Sequence, residues 1–350
     1  MQKQAIKIAF LVLGIIVGAG FASGREIITF FFDYAPFSYV LFLSILLFVF
    51  YIVYIFIRVG SFIKPKTISD LTRPIFKKYY KVIDSIAIVS FFIAIFAMLA
   101  GVDALATDVF TDYAFPYFSI IISVLTIIIV MGGLKSLLNV NNVIAPVLVF
   151  LVILIPSIFL IIGDFGNVTL NNDVNFIRVG SGVFSAVLYV CMNMITTGVI
   201  LSQLGSTIKQ KTAKFIAIYS SIMLTVCVAL ILTSIINSSN VVVAGNMPMV
   251  LIAYLVGDFW GGVYSIVVLF GIFTTLLASS FALDNWLNQF LTKRGVSISL
   301  IIITAFIVSR LGFIQIVDIF YPLEGVFGFI FIAGVVLYYY KNREKIEKNI

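Results

Sequence analysis

The chain has 350 residues, 62% of them hydrophobic and 11% charged, with a net charge of +7 and no histidine. Soluble globular chains are about half apolar and about a quarter charged, so this composition excludes a water-soluble fold. The missing histidine excludes His-ligated metals, His-based triads and His proton relays, and without a metal cluster or phosphate-binding loop the chain does not read as an enzyme or as needing a cofactor.

The apolar residues come in runs of roughly 18 to 30, and a bilayer core takes about 20 helical residues. Ten spans are predicted at 8–32, 36–58, 82–107, 115–134, 143–163, 176–203, 213–236, 260–291, 297–309 and 312–340. The fold class is therefore all-α integral membrane. Lys3 and Lys7 before the first run, with small residues from Gly18 to Gly24 after it, imitate a cleavable signal peptide. Apolar sequence resumes at once from Ile27 to Phe32, so the first run is read as a span. Cys191 and Cys227 lie in apolar runs and read as packing residues.

The basic residues are clustered between spans, which is the placement of membrane topology and not of nucleic-acid binding. With a cytoplasmic N-terminus, the inside segments hold 19 of the 22 lysines and arginines, all except Arg25, Arg178 and Arg310. These are Lys3 and Lys7, Arg58 through Lys81, Lys135, Lys209 through Lys214, Lys293 with Arg294, and the tail from Lys341 to Lys348. The opposite loops carry Asp33, Asp108, Asp112, Asp164, Asp173 and Asp258. This predicts a multi-pass protein of the cell membrane with both termini cytoplasmic. Ten spans divide into five and five, and an odd number per half forces the halves into opposite orientations, the arithmetic of an inverted repeat. A single transmembrane domain over 1–350 is expected, with repeat one at about 8–163 and repeat two at about 176–340.

The first span contains Gly18-Ala19-Gly20-Phe21-Ala22-Ser23-Gly24, followed by Arg25 and Glu26. Each glycine weakens helix by about 1 kcal/mol relative to alanine. A broken membrane helix frees backbone groups that are tolerated only inside protein or facing a cavity, where they can bind an ion and a polar solute. Close helix packing through small residues is the alternative. Arg25 and Glu26 favour the break, because charged residues within spans usually face a cavity or a partner. They point about 100° apart on a helix, so each needs its own partner, unless both merely reach the outer interface. Asp318 and Glu324 on the tenth span are the candidates, about 9 Å apart along the axis and on different faces.

The sixth span opens the second half and carries Tyr189, Asn193, Thr196 and Thr197 at mid-length. Asn193 offers donors and an acceptor to a solute, and interhelical hydrogen bonding is the alternative. Interrupted helices at equivalent places in two repeats point to a transporter's binding site, so the first and sixth spans are expected to be interrupted. The segment 237–259 is either a lid or a plain connector. On the eighth span, Thr274, Thr275, Ser279 and Ser280 could join freed carbonyls around a hard cation, although such hydroxyls are more often packing residues. Asp84, Asp103 and Asp284 lie near span ends and are read as interfacial.

The segment from Gly18 to Ile27 followed by Phe30-Phe31, with Tyr189 and Asn193-Met194-Ile195 and then Gly312-Phe313 through Tyr321-Pro322, resembles the YkvI-like membrane proteins of the amino acid–polyamine–organocation superfamily. The resemblance covers essentially the whole chain. It implies the leucine-transporter fold, ten core helices in two inverted five-helix repeats, with substrate between the broken first and sixth helices. The matching substrate positions are Gly18 to Gly24 and Tyr189 to Thr197. In sodium-coupled relatives an ion lies between first-helix carbonyls and eighth-helix hydroxyls, which matches Ala19, Ser279 and Ser280. In some relatives an arginine after the break pairs with a tenth-helix acid as an outer gate, which matches Arg25.

The reading is a secondary active transporter of a small solute, an amino acid or related compound, coupled to Na+ or H+ by alternating access in a lipid bilayer. Glu26 and Glu324 are the candidate proton carriers. The alternative is a ligand-sensing receptor subunit on a transporter fold, without net transport, contacting partners through 237–259 and the basic loop 59–81.

Overall fold

A computed structural model describes residues 2–109, 117–163, 166, 176–288 and 294–348. Asp112, Asp164, Asp173 and Lys293, counted above for topology, lie outside the described residues. In a bilayer no water satisfies backbone N–H and C=O groups, so each apolar run closes its own hydrogen-bond ladder as helix. The described residues accordingly form helices and turns, with no strand among them.

The chain begins with α1 (Gln2–Ile16), α2 (Ala19–Ala22) and α3 (Arg25–Phe31), three pieces of one interrupted run. α4 (Ser38–Ile63), a short α5 (Ile68–Phe76), α6 (Tyr80–Val109), α7 (Tyr117–Met131) and α8 (Gly133–Ile162) follow. The second half holds α9 (Phe176–Leu204), α10 (Gln210–Ile236), the short α11 (Asn240–Ala244) and α12 (Pro248–Val256), and α13 (Asp258–Leu287). α14 (Arg294–Val308), α15 (Phe313–Lys341) and α16 (Arg343–Lys348) complete the described residues. The described residues of the expected runs lie mostly in helix. Seven helical stretches among the described residues are long and apolar enough to cross a membrane. α7 and α14 are apolar but only 15 residues each, and α1 is shortened by the break.

The sixth run corrects an expectation. α9 is continuous over 29 residues and passes unbroken through Tyr189 to Thr197. Its polar side chains do not interrupt the ladder, and Asn193 Nδ2 donates within the helix to the Tyr189 carbonyl at 3.1 Å. Only one glycine, Gly198, lies near this stretch, whereas the first run has three within seven residues.

Two aspartates near helix ends are buried instead of interfacial. Asp84 accepts from Ser69 Oγ at 2.6 Å and from Thr72, which ties α5 to α6. Asp284 accepts from Ser297 Oγ at 2.8 Å and Asn288 Nδ2 at 2.9 Å, tying α13 to α14. Asp103 is partly exposed and pairs with Arg310 at 3.1 Å.

Helices inside a membrane gain little from excluding water and associate through close packing of small residues. α9 lies between α4 and α15 on this principle. A Cβ at Gly60 of α4 would stand 2.5 Å from Ser202 Cα, and one at Gly328 of α15 would stand 2.5 Å from the Cys191 carbonyl carbon. α12 is no plain connector. Met247, Met249, Ile252 and Ala253 are fully buried, and the Met249 N–H donates to the Ser23 carbonyl at 2.8 Å.

Candidate functional site

The first run breaks twice. Gly18 is extended (φ −89°, ψ −164°), ending the ladder of α1. Gly24 has φ +84°, a left-handed conformation that residues with a Cβ rarely adopt. Buried backbone groups need partners wherever a ladder ends, and neighbouring helices supply them here. Thr275 Oγ1 of α13 donates to the Ile15 carbonyl at 2.7 Å. Tyr264 of the same helix donates to the Ala22 carbonyl at 2.7 Å. The Ala19 N–H reaches Met98 Sδ of α6 at 3.4 Å. Within the break, Ser23 Oγ donates to the Gly20 carbonyl at 3.1 Å and accepts from the Arg25 N–H at 3.3 Å.

At this discontinuity lies a small, narrow cavity of about 40 Å³, room for one or two waters. Its polar lining comes from four elements around the break. Glu26 belongs to α3, Asn193 and Thr196 to α9, Thr275 and Ser279 to α13, and Tyr321 and Glu324 to α15. Gly18 and Met98 close one side. Both carboxylate residues are only 3% exposed. Glu26 folds back onto the break: its carboxylate accepts the Phe21 N–H, and a Cβ added at Gly20 would stand 2.6 Å from Glu26 Cγ. Glu26 Oε2 and the Ser279 hydroxyl are buried with no hydrogen-bond partner among the described residues.

Arg25 and Glu26 diverge, as their helical spacing requires. Arg25 Nη2 donates to Asp318 Oδ2 at 2.6 Å, and Thr29 Oγ1 lies 2.9 Å from Asp318 Oδ1. Thr29 and Pro322 also line a second, open cavity of about 630 Å³ between α3, α9 and α15. The Arg25–Asp318 pair therefore joins α3 to α15 beside this vestibule, while Glu26 and Glu324 of the same helices face the small cavity.

Of the residues singled out from sequence, Gly18, Glu26, Asn193, Thr196, Thr275, Ser279 and Glu324 line the cavity. Ala19, Gly20, Phe21, Ala22 and Ser23 are buried around the break without lining it, and Gly24 shapes its second turn. Tyr189 is fully buried one turn before Asn193 and packs edge-on against Phe30 and Phe31, with ring centroids 5.6 and 5.0 Å apart. The Thr197 and Ser280 hydroxyls are buried away from the lining and have no partner among the described residues. The Ala19 carbonyl accepts the Ser23 N–H at 2.9 Å, so it is engaged within α2. A Cβ at Gly271 of α13 would stand 2.6 Å from the Val17 carbonyl oxygen, so the first run packs closely on α13 two turns before Ser279. Sequence reasoning missed Met98 and Tyr321. Both sit in apolar helices with no local signal.

No family model matches the chain. The chain is 24% identical over 339 residues to a Bacillus subtilis (strain 168) protein named uncharacterized membrane protein YkvI, covering 96% of each. Among solved structures it is similar to Mhp1, a nucleobase-cation-symport-1 family transporter in a closed conformation with bromovinylhydantoin bound. That likeness has a TM-score of 0.67 at 13% identity, over 97% of this chain and 79% of the other. It is also similar to a Na+-coupled sialic acid symporter in a substrate-bound outward-open state, with a TM-score of 0.64 at 14% identity, over 95% and 78% of the two chains. The chain shares the fold of these two transporters.

Proposed function

We propose that the protein is a secondary active transporter of a small solute, working by alternating access around the small cavity. The carrying observation is that cavity itself. It sits at a broken membrane helix, draws its polar lining from four separate elements, and holds two carboxylates at a depth where charge is costly unless it is used. The fold shared with a cation symporter and a sodium-coupled symporter supports the same reading.

The scaffold is read as a single domain of ten helices in two inverted repeats within the cell membrane, with both termini cytoplasmic. Two pairs of matching features support the repeat. The fourth and ninth spans, α7 and α14, are both 15 residues long. Short helices of nine residues each, α5 and α12, follow the second and seventh spans at equivalent places. The Arg25–Asp318 pair acts as an outer gate between vestibule and cavity, and α12 moves with the break it contacts.

For the coupling ion the residues offer two routes. Glu26 and Glu324 can carry protons. Ser279 and Ser280 offer hydroxyl oxygens to sodium, and their lack of partners among the described residues fits that role. Purified protein in liposomes should accumulate a solute only under an imposed proton or sodium gradient. Solute binding with no gradient-driven accumulation would instead favour a sensor built on this fold.

A further inference from the structure

The stretch between α4 and α6 carries six basic side chains, Lys64, Lys66, Arg73, Lys77, Lys78 and Lys81, all exposed. Its one exposed acid, Asp70, is spent on the capping box of α5, where it accepts the Lys66 and Thr67 N–H groups at 3.2 and 3.0 Å. None of the six cations has an ion-pair partner among the described residues. Two lean on rings instead. The Arg73 guanidinium lies 5.1 Å from the Tyr80 ring centroid, and Lys78 Nζ lies 4.8 Å from that of Tyr79.

The backbone adds an independent sign. Lys64 (φ 54°) and Lys77 (φ 51°) are the only non-glycine residues with positive φ among the described residues. They bracket α5, one ending α4 and the other ending α5 itself. Glycine takes this conformation without steric cost, and a strained conformation kept in a folded chain is a signature of a functional position. At both places the side chain kept is a lysine.

Position decides which anion these cations meet. α4 ends at Ile63 and α6 begins at Tyr80, so the six stand at the ends of two spans, with Tyr79 and Val82 exposed beside them. Tyrosine and lysine together at a span end belong to the bilayer interface, with the ring at headgroup level and the ammonium reaching outward. Clusters of about four to eight basic residues directly beside a span hold anionic lipid headgroups. The other face of α5 is turned into the protein. Ser69 and Thr72 donate to Asp84 of α6. Asn285 Nδ2 of α13 donates to the Lys66 carbonyl at 2.9 Å. Phe76 packs where a Cβ at Gly334 of α15 would overlap its ring.

We infer that this stretch is a binding site for anionic phospholipid headgroups of the cytoplasmic leaflet, with Lys64, Lys77 and Lys78 as the principal phosphate contacts. The site rests on the membrane orientation proposed above and not on transport. α6, α13 and α15 all line the small cavity, so a headgroup held on α5 steadies the ends of three cavity-lining helices and stabilises the whole protein.

The test measures thermal unfolding of the full-length protein in dodecylmaltoside micelles mixed with phosphatidylglycerol or with phosphatidylcholine, and follows retained lipid by native mass spectrometry. Phosphatidylglycerol should be retained preferentially and should raise the melting temperature by at least about 4 °C over phosphatidylcholine. Lys64→Gly with Lys77→Gly should leave the protein at least as stable in phosphatidylcholine, because both strained residues are relieved, and should lose most of the phosphatidylglycerol gain. Lys64→Gln with Lys77→Gln and Lys78→Gln should lose that gain with the strain kept. Neutralising another exposed basic cluster, by Lys209→Gln with Lys211→Gln and Lys214→Gln, should retain it. No preference for phosphatidylglycerol, or a gain unchanged by either variant of this stretch, would overturn the inference. So would a gain lost equally in the Lys209 cluster variant, which would mark a general attraction to surface charge. Capture of a cytoplasmic protein through these lysines, with no lipid preference, would overturn it in favour of a protein contact. Micelles have no sides and carry no gradient, so neither a reversed orientation nor a failure of transport alters the result.

Discussion

Arg25 Nη2 donates to Asp318 Oδ2 at 2.6 Å across 293 residues of sequence, joining the segment after the first-helix break to the tenth span. The arginine side chain is 14% exposed and the aspartate 38%, so the pair is partly wet and its worth to stability is modest, about 1 kcal/mol. In the proposed cycle its weight falls on the outer gate. Asp318→Asn should lower the melting temperature by only a few degrees while slowing solute uptake at least tenfold. The exchange Arg25→Asp with Asp318→Arg should recover part of the rate. Unchanged uptake in Asp318→Asn would remove the pair from the transport cycle.

Gly20 is predicted to be intolerant for a reason the structure makes specific. A methyl group there overlaps the Glu26 carboxylate and stands 2.6 Å from its Cγ. Gly20→Ala should destabilise by about 1–3 kcal/mol, the ordinary range for overpacking, and should displace Glu26 from the break. Pairing it with Glu26→Asp, one methylene shorter, should restore part of the melting temperature. A Gly20→Ala protein as stable as the parent would contradict the placement of Glu26.

Two hydroxyls hold the ends of the break. Tyr264→Phe and Thr275→Val leave the Ala22 and Ile15 carbonyls without their donors at 2.7 Å. Each should cost about 1–3 kcal/mol, because a buried carbonyl loses its partner. Thermal unfolding in detergent measures both. Thr275→Val should also impair solute binding, since Thr275 lines the cavity and Tyr264 does not.

Asn193→Leu keeps the branched shape of the side chain, adds bulk and removes the polar group that faces the cavity. Solute affinity should fall at least tenfold, about 1.4 kcal/mol, with the protein folded and inserted. Retained affinity would move the site away from α9.

The helices and the first break were legible because hydrophobic run length and glycine density are local properties. The sixth span shows the limit of that reading. Its interruption was expected from its place opposite the first span in the repeat, yet its polar side chains bond within the helix, as Asn193 does to the Tyr189 carbonyl, and leave the ladder whole. The eighth span shows a second limit. The resemblance matched Ser279 and Ser280 together, and because neighbours on a helix point about 100° apart, Ser279 lines the cavity with Thr275 one turn earlier while Ser280 does not line it. Glu26 carried a signal of position only. Its return to Gly20 and Phe21 depends on Gly24 turning left-handed between them, which sequence permits without requiring. The partner of Arg25 was narrowed to two acids on the tenth span, and depth decided between them: Asp318 stands beside the vestibule and Glu324 beside the small cavity.

The account rests on one cavity that opens in turn to the two sides of the membrane. Thr196→Cys places a thiol in its lining, in a chain whose buried Cys191 and Cys227 are replaced by alanine. Labelling this thiol with a membrane-impermeant reagent in oriented vesicles, applied from each side in turn and with the ion gradient reversed, measures that property directly. The account predicts labelling from either side, with the favoured side switching as the gradient is reversed. Labelling from one side alone under every gradient, in protein that still binds solute, would contradict it.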